Sequence, residues 1–166
     1  MKIFAYGSNM SLNRLKARVS SAKKISNGYI EGYELKCIKI SNDGSGKATI
    51  SKTNNNENKV WGVVFEIDEN EKPRLDRAEG LNYGYNQSTI QVKNGKEVWN
   101  AQIYIADKKA INENIIAYNW YKAFIVNGAI ENELPKDYTD ELNKISSIED
   151  KNDERRIENE KILKGE

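Results

Sequence analysis

The sequence predicts an antiparallel-rich α+β domain that can close as a small β-barrel, with a few short helices beside it. Three observations predict it. Roughly six or seven short runs rich in β-branched and aromatic residues are separated by turns containing Gly and Asn, against about three stretches with helical spacing. One run, Val60 to Ile67, is apolar almost throughout, the pattern of a central strand covered on both faces. At 166 residues, the chain suits one domain with a real core and is short for two.

The elements follow in order. Lys2-Ile3-Phe4-Ala5-Tyr6 has the bulky residues of a strand, Gly7 permits backbone angles closed to other residues, and Ser11 can cap a helix that starts with Leu12 and Leu15. A strand, a sharp turn and a helix start present consecutive backbone N–H groups, with the Ser8 hydroxyl and the Asn9 amide, to an anionic or carbonyl-bearing small molecule. Taken alone, Gly-Ser-Asn is also ordinary turn vocabulary. Ala22 to Ile40 reads as one or two strands with bends at Gly28 and Gly32. Asn42-Asp43-Gly44-Ser45-Gly46 is a turn, Ala48 to Ser51 a strand, and Thr53 to Lys59 a loop.

Asp68 or Asn70 can cap a helix through Leu75 and Ala78, with Pro73 tolerated in its first turn and Gly80 as its stop. Glu79 then sits in the last turn, where the helix dipole disfavours its charged form, a direction that suits a base. Ser88 to Val92 and Glu97 to Ile105 bracket the hairpin signal Asn94-Gly95. Asn114 to Val126 has helical spacing at Ile115, Tyr118, Tyr121 and Ile125, with Gly128 as the stop. Pro135 opens a shorter helix through Leu142 and Ile145. Residues 149–166 are charged almost throughout and read as a solvated helix or a disordered tail on a domain spanning 1–148.

Composition excludes several kinds of function. The chain has 26 Lys+Arg against 25 Asp+Glu, so net charge gives no reason to expect nucleic acid or a membrane surface as partner. It has no His and one Cys, which removes His-based triads and a structural zinc site, so no metal site is expected. Cys37 lies in an alternating apolar run and reads as a buried structural thiol rather than a nucleophile. A lone cysteine and a start without the layout of a signal peptide lead to the expectation of a cytoplasmic protein.

Phe4-Ala5-Tyr6-Gly7-Ser8-Asn9-Met10, followed downstream by Leu75-Asp76-Arg77-Ala78-Glu79-Gly80, resembles the γ-glutamylcyclotransferase family, whose members share a Tyr-Gly-Ser-Asn turn and a Glu-Gly site. Val60-Trp61-Gly62-Val63-Val64-Phe65 resembles that family's central strand. Gly128-Ala129-Ile130-Glu131-Asn132-Glu133-Leu134-Pro135 resembles a stretch of the subgroup acting on γ-glutamyl amino acids. The sequence departs from the pattern at Ala78 and in the spacing between Gly80 and Tyr85. The resemblance implies a mixed barrel with the site at its mouth, a homodimer, and a cofactor-free reaction in which the amine of a γ-glutamyl group attacks its own γ-carbonyl to give 5-oxoproline. It implies Glu79 as the catalytic proton shuttle, in an apolar surround that includes Tyr85 and Tyr104. Tyr6, Gly7, Ser8 and Asn9 would hold the γ-glutamyl group. Tyr85 and Tyr104 are equally candidates for substrate contact and for core packing. The alternatives are a γ-glutamylamine cyclotransferase acting on γ-glutamyl-lysine-type substrates, and a catalytically inactive γ-glutamyl-binding relative.

Overall fold

The computed structural model describes residues 1–95 and 97–166. In chain order its strands are β1 (Lys2–Ala5), β2 (Lys23–Glu31), β3 (Tyr33–Ile40), β4 (Gly46–Lys52), β5 (Lys59–Glu66), β6 (Tyr85–Asn94), β7 (Glu97–Ala106), β8 (Ala117–Tyr118) and β9 (Ser147–Ile148). The helices are α1 (Leu12–Arg18), α2 (Lys72–Glu79), α3 (Asn119–Glu131), α4 (Lys136–Asn143) and α5 (Asp153–Lys164).

Five strands close into a barrel in the order β1-β5-β2-β6-β7. Neighbours are antiparallel except at the closing seam, where β7 meets β1 in parallel with Ile3 opposite Gln102, so the barrel is mixed. The apolar run expected to be central is β5, paired on both edges, and Val60, Val63, Val64 and Phe65 are buried. The β6–β7 hairpin stays in register from Tyr85 opposite Ala106 to Asn94 opposite Glu97. The hairpin signal Asn94-Gly95 stands at the end of β6; Lys96 lies outside the described residues. β3 and β4 leave the barrel as a separate hairpin, and β8 and β9 pair in parallel.

α2 forms where its cap and stop signals put it. Asp68 accepts a hydrogen bond from the Asn70 N–H in the turn that precedes it, Pro73 sits in its first turn, and Gly80 ends it in the left-handed region at φ 68°.

One expectation fails. The helix predicted over Asn114 to Val126 starts at Asn119 and runs past Gly128 to Glu131. Its expected first turn is instead extended chain tied to the β3–β4 hairpin: the Asn112 N–H donates to the Ile38 carbonyl, and the Gly46 N–H to that of Ile116. Gly128 serves contact rather than termination, because a Cβ there would lie 2.7 Å from the Ser11 nitrogen and 2.8 Å from Met10, where α3 crosses the Gly7–Ser11 turn. The charged tail takes the helical form of the two expected: α5 has no buried residue, though Ile162 and Leu163 pack partly buried against the core. Asp150 is its buried anchor, 1% exposed, held in a fork by Arg155 Nε and Nη2 at 2.7 and 2.6 Å and bonded by Trp120 Nε1 at 2.9 Å.

Candidate active site

At the mouth of the barrel, the turn after β1, the end of α2 and the first residues of β6 line one cleft with Ala48, Tyr104 and Tyr121. Every site residue expected from sequence is on its wall: Tyr6, Gly7, Ser8, Asn9, Glu79, Tyr85 and Tyr104. Gly7 also lies close against β4: a Cβ would come 2.9 Å from the Cβ of Ala48, so the turn packs there only without a side chain. Among the described residues, the N–H groups of Gly7, Ser8 and Asn9 donate to no turn or cap carbonyl and remain available to a ligand.

The polar atoms are arranged differently from the expectation. The Tyr6 hydroxyl donates to the Tyr104 carbonyl at 2.5 Å, and the Tyr85 hydroxyl to the Ala48 carbonyl at 2.6 Å. The Tyr104 hydroxyl donates to Asp76 Oδ1 at 2.6 Å, and Tyr121 accepts from the Ala48 N–H at 2.9 Å. Burial raises the pKa of the Tyr6, Tyr85 and Tyr121 phenols, while burial and then the Asp76 contact raise that of Tyr104, so all four keep their protons. Tyr6, Tyr85 and Tyr104 have therefore spent their hydroxyl protons on protein acceptors, whereas among the described residues Tyr121 donates its own to none. Tyr85 offers a ligand its ring and an acceptor oxygen rather than the hydrogen-bond donor expected of it.

Glu79 does not face an apolar surround alone. Its Oε1 accepts from Asn9 Nδ2 at 2.8 Å and forms an ion pair with Arg18, whose Nη1 also donates to Asn9 Oδ1 at 2.9 Å. Among the described residues no group donates to Oε2. Asn9, read from sequence as a substrate contact, thus spends both ends of its amide on the Arg18–Glu79 pair.

The cleft itself has a cavity volume of about 40 Å3, room for a few waters. It adjoins a chamber of about 380 Å3 through the shared residues Ser8, Glu79, Tyr85 and Tyr121. Five cations line this outer space, Arg14, Arg18, Lys39, Lys47 and Arg155, against Asp43, Glu79 and Glu158. Lys47 bonds Asp43 Oδ2 at 2.6 Å and lies over the Trp120 and Tyr121 rings; burial brings its ammonium down to about 8.

Arg14 and Lys39 have no carboxylate partner among the described residues. Arg14 donates from Nε to Ser8 Oγ at 3.1 Å and from Nη1 to Asn159 Oδ1 at 3.0 Å, above the Phe124 ring. Burial, followed by the neighbouring Arg18, lowers its guanidinium to about 10, still charged at neutral pH. Lys39 Nζ lies 4.8 Å above the Tyr85 ring, and burial lowers its pKa.

Sequence reading missed this basic wall. The available signal was the i,i+4 spacing of Arg14 and Arg18 on the helix directly after the turn, which puts both guanidiniums on one face. Arg155 and Asn159 gave no such signal, because nothing local says that the charged tail returns to the turn.

The AIG2-like family model matches residues 59–142, half of the chain. The γ-glutamylcyclotransferase of Bos taurus is 30% identical over 150 residues, covering 86% of this chain and 77% of its own. That of Homo sapiens is 31% identical over 151 residues, with the same coverage of each. The chain belongs to the AIG2-like, γ-glutamylcyclotransferase family. A solved structure described as a γ-glutamyl cyclotransferase superposes with a TM-score of 0.84 at 25% identity, over 100% of this chain and 99% of the other. The γ-glutamylcyclotransferase fold thus extends through α5, the segment that looked like a tail.

Proposed function

We propose that this protein cyclises the γ-glutamyl group of a γ-glutamyl amino acid or peptide, releasing 5-oxoproline and the amine formerly held in the amide. The observation that carries this reading is Glu79, a single carboxylate at the junction of cleft and chamber with Oε2 unused. Its relatives are named for this activity.

In this scheme the α-ammonium loses a proton to Glu79 Oε2, and the freed lone pair attacks the γ-carbon and closes a five-membered ring. The C–N bond to the leaving amine then breaks as that nitrogen takes the proton back from Glu79, and the extra proton left on the ring nitrogen follows through the same carboxylate to the departing amine, which leaves as an ammonium. Nucleophile and electrophile belong to one molecule, so the protein's main task is to hold it bent, a proximity gain potentially worth several kcal/mol. The N–H groups of Gly7, Ser8 and Asn9 supply donors for the substrate carboxylate or for the oxygen that becomes negative during attack. Tyr6, Tyr85 and Tyr104 shape the cleft with their rings and exclude water. A cavity of about 40 Å3 does not accommodate the whole substrate, so the leaving group extends into the outer chamber. There the unpaired Arg14 and Lys39 favour an amino acid carrying a carboxylate over a simple amine.

The test is a 5-oxoproline assay with γ-glutamyl-alanine, γ-glutamyl-ε-lysine and glutathione, run on native protein and on Glu79→Gln. The expected result is turnover by the native protein and a loss of roughly 100- to 10,000-fold in the variant, the usual scale for removing a general acid-base group. Binding of γ-glutamyl ligands without 5-oxoproline from any of them would instead mark an inactive relative.

A further inference from the structure

We infer that Arg18 is a positioning residue that drives the second half of the reaction, the return of the proton from Glu79 to the departing nitrogen; the inference rests on the cyclisation reading above. Arg18 ends α1 and lines the outer chamber but not the inner cleft, whereas Glu79 lines both. The guanidinium therefore stands on the leaving-group side of the carboxylate.

Its Nη1 joins Glu79 Oε1 to Asn9 Oδ1, and Asn9 Nδ2 closes the triangle on the same Oε1. Two donors on one oxygen fix the carboxylate's orientation and leave Oε2 as the proton carrier. The side chains of Arg18 and Glu79 are 20% and 15% exposed, so solvent screens the pair only in part.

The charge sequence follows from this geometry. When Oε2 takes the proton from the substrate ammonium, Glu79 becomes neutral and the guanidinium loses its counter-charge in a partly desolvated place. Of the other carboxylates on the chamber, Asp43 is bonded by Lys47, and among the described residues neither Asp43 nor Glu158 pairs with Arg18. Passing the proton to the leaving nitrogen, as its bond to the γ-carbon breaks, restores the ion pair. Arg18 thus opposes the base step and favours the acid step to a like extent, so it speeds turnover where the intermediate with protonated Glu79 builds up before the leaving nitrogen takes the proton. Its contribution should appear where the leaving group needs that proton and vanish where it does not.

This distinguishes Arg18 from a residue that merely supports the fold. Single-turnover rates would be measured for native, Arg18→Gln and Arg18→Lys proteins on two substrates that both carry a leaving-group carboxylate: γ-glutamyl-alanine, whose alkylamine must be protonated to leave, and γ-glutamyl-3-carboxy-4-nitroanilide, whose aniline leaves without that help. For Arg18→Gln the expected result is a loss of at least about tenfold on the alanine substrate, the lower part of the range for impaired proton transfer, with the anilide unchanged or faster. Arg18→Lys keeps the charge and should recover most of the loss, and it also carries the test if the Gln variant does not fold.

Equal loss on both substrates would reduce Arg18 to a structural support, and no loss on either would remove it from the reaction; both outcomes overturn the inference. Absence of 5-oxoproline from native protein on either substrate would instead count against the cyclisation reading.

Discussion

At the scale of single residues, the site shows how a side chain's chemistry is set by what its polar atoms already hold. Tyr85 carries a hydroxyl, yet that hydroxyl donates to the Ala48 carbonyl at 2.6 Å in a buried position. Tyr85→Phe should therefore act on stability, at about 1–3 kcal/mol for leaving a buried acceptor unpaired, while kcat changes little. Thermal melts and steady-state kinetics on the same preparation separate the two, and a hundredfold fall in kcat with an unchanged Tm would contradict the assignment. Lys39 is the opposite case, a cation with no carboxylate partner among the described residues, facing the chamber. Lys39→Gln should raise KM for γ-glutamyl-alanine by roughly tenfold or more, the worth of a hydrogen bond to a charged group, and leave KM for γ-glutamyl-ethylamide nearly unchanged. Equal effects on both substrates would mean that Lys39 does not read the leaving-group carboxylate.

At the scale of elements, the most consequential one is α5. Residues 149–166 have few apolar positions, which made them look dispensable, but Asp150 ties them to α3 through Trp120, and Asn159 ties them to α1 through Arg14. Ending the chain at Glu149 should lower the melting temperature by several degrees, since a loss of 1 kcal/mol already shifts a domain of this size by about 2–4 °C or more. It should also weaken substrate binding, because Arg14 loses its Asn159 partner. An unchanged melt and an unchanged KM would show that α5 packs without consequence. The anchor itself responds to acid. The Arg155 fork, chiefly, holds the Asp150 carboxyl well below the usual carboxylate range. A depressed folded-state pKa contributes stability that is complete above the unfolded value of about 3.9 and is lost as pH falls below it. Native protein should therefore lose melting temperature below about pH 4 more steeply than Asp150→Asn, which should start lower at neutral pH. Parallel pH curves for the two would exclude this contribution.

At the scale of the whole molecule, a closed barrel removes free sheet edges and leaves its mouth, capped by the Gly7–Ser11 turn and α2, as the place where chemistry can be built. Among the described residues no group of three His, Cys, Asp or Glu side chains could hold a metal, and ring closure needs no Lewis acid. Turnover should be unaffected by EDTA; loss restored by a divalent ion would replace Glu79 chemistry with a metal mechanism. No described helix is long and apolar enough to cross a membrane.

The sequence by itself determined the local pieces. The uninterrupted apolar run specified the central strand, Asp68, Pro73 and Gly80 bounded α2 and set Glu79 in its last turn, and Asn94-Gly95 fixed the long hairpin. Each of these signals acts within a few residues, through backbone angles or side-chain period, so it can be read without the fold. Motif resemblance added the pairing of the Tyr6–Asn9 turn with Glu79 across some 70 positions. What only the tertiary structure decided is how polar atoms meet across the chain. Asn9 turns from ligand contact to a holder of Glu79 because Arg18 arrives beside it, Gly7 leaves room for Ala48 to lie against the turn, and Gly128 lies inside a helix because α3 must pass against Met10. The charged tail becomes a wall because its carboxylate finds Trp120 and Arg155 in a buried pocket. Such contacts join residues distant in sequence, and their energy depends on burial and on the partner, neither of which composition or periodicity encodes.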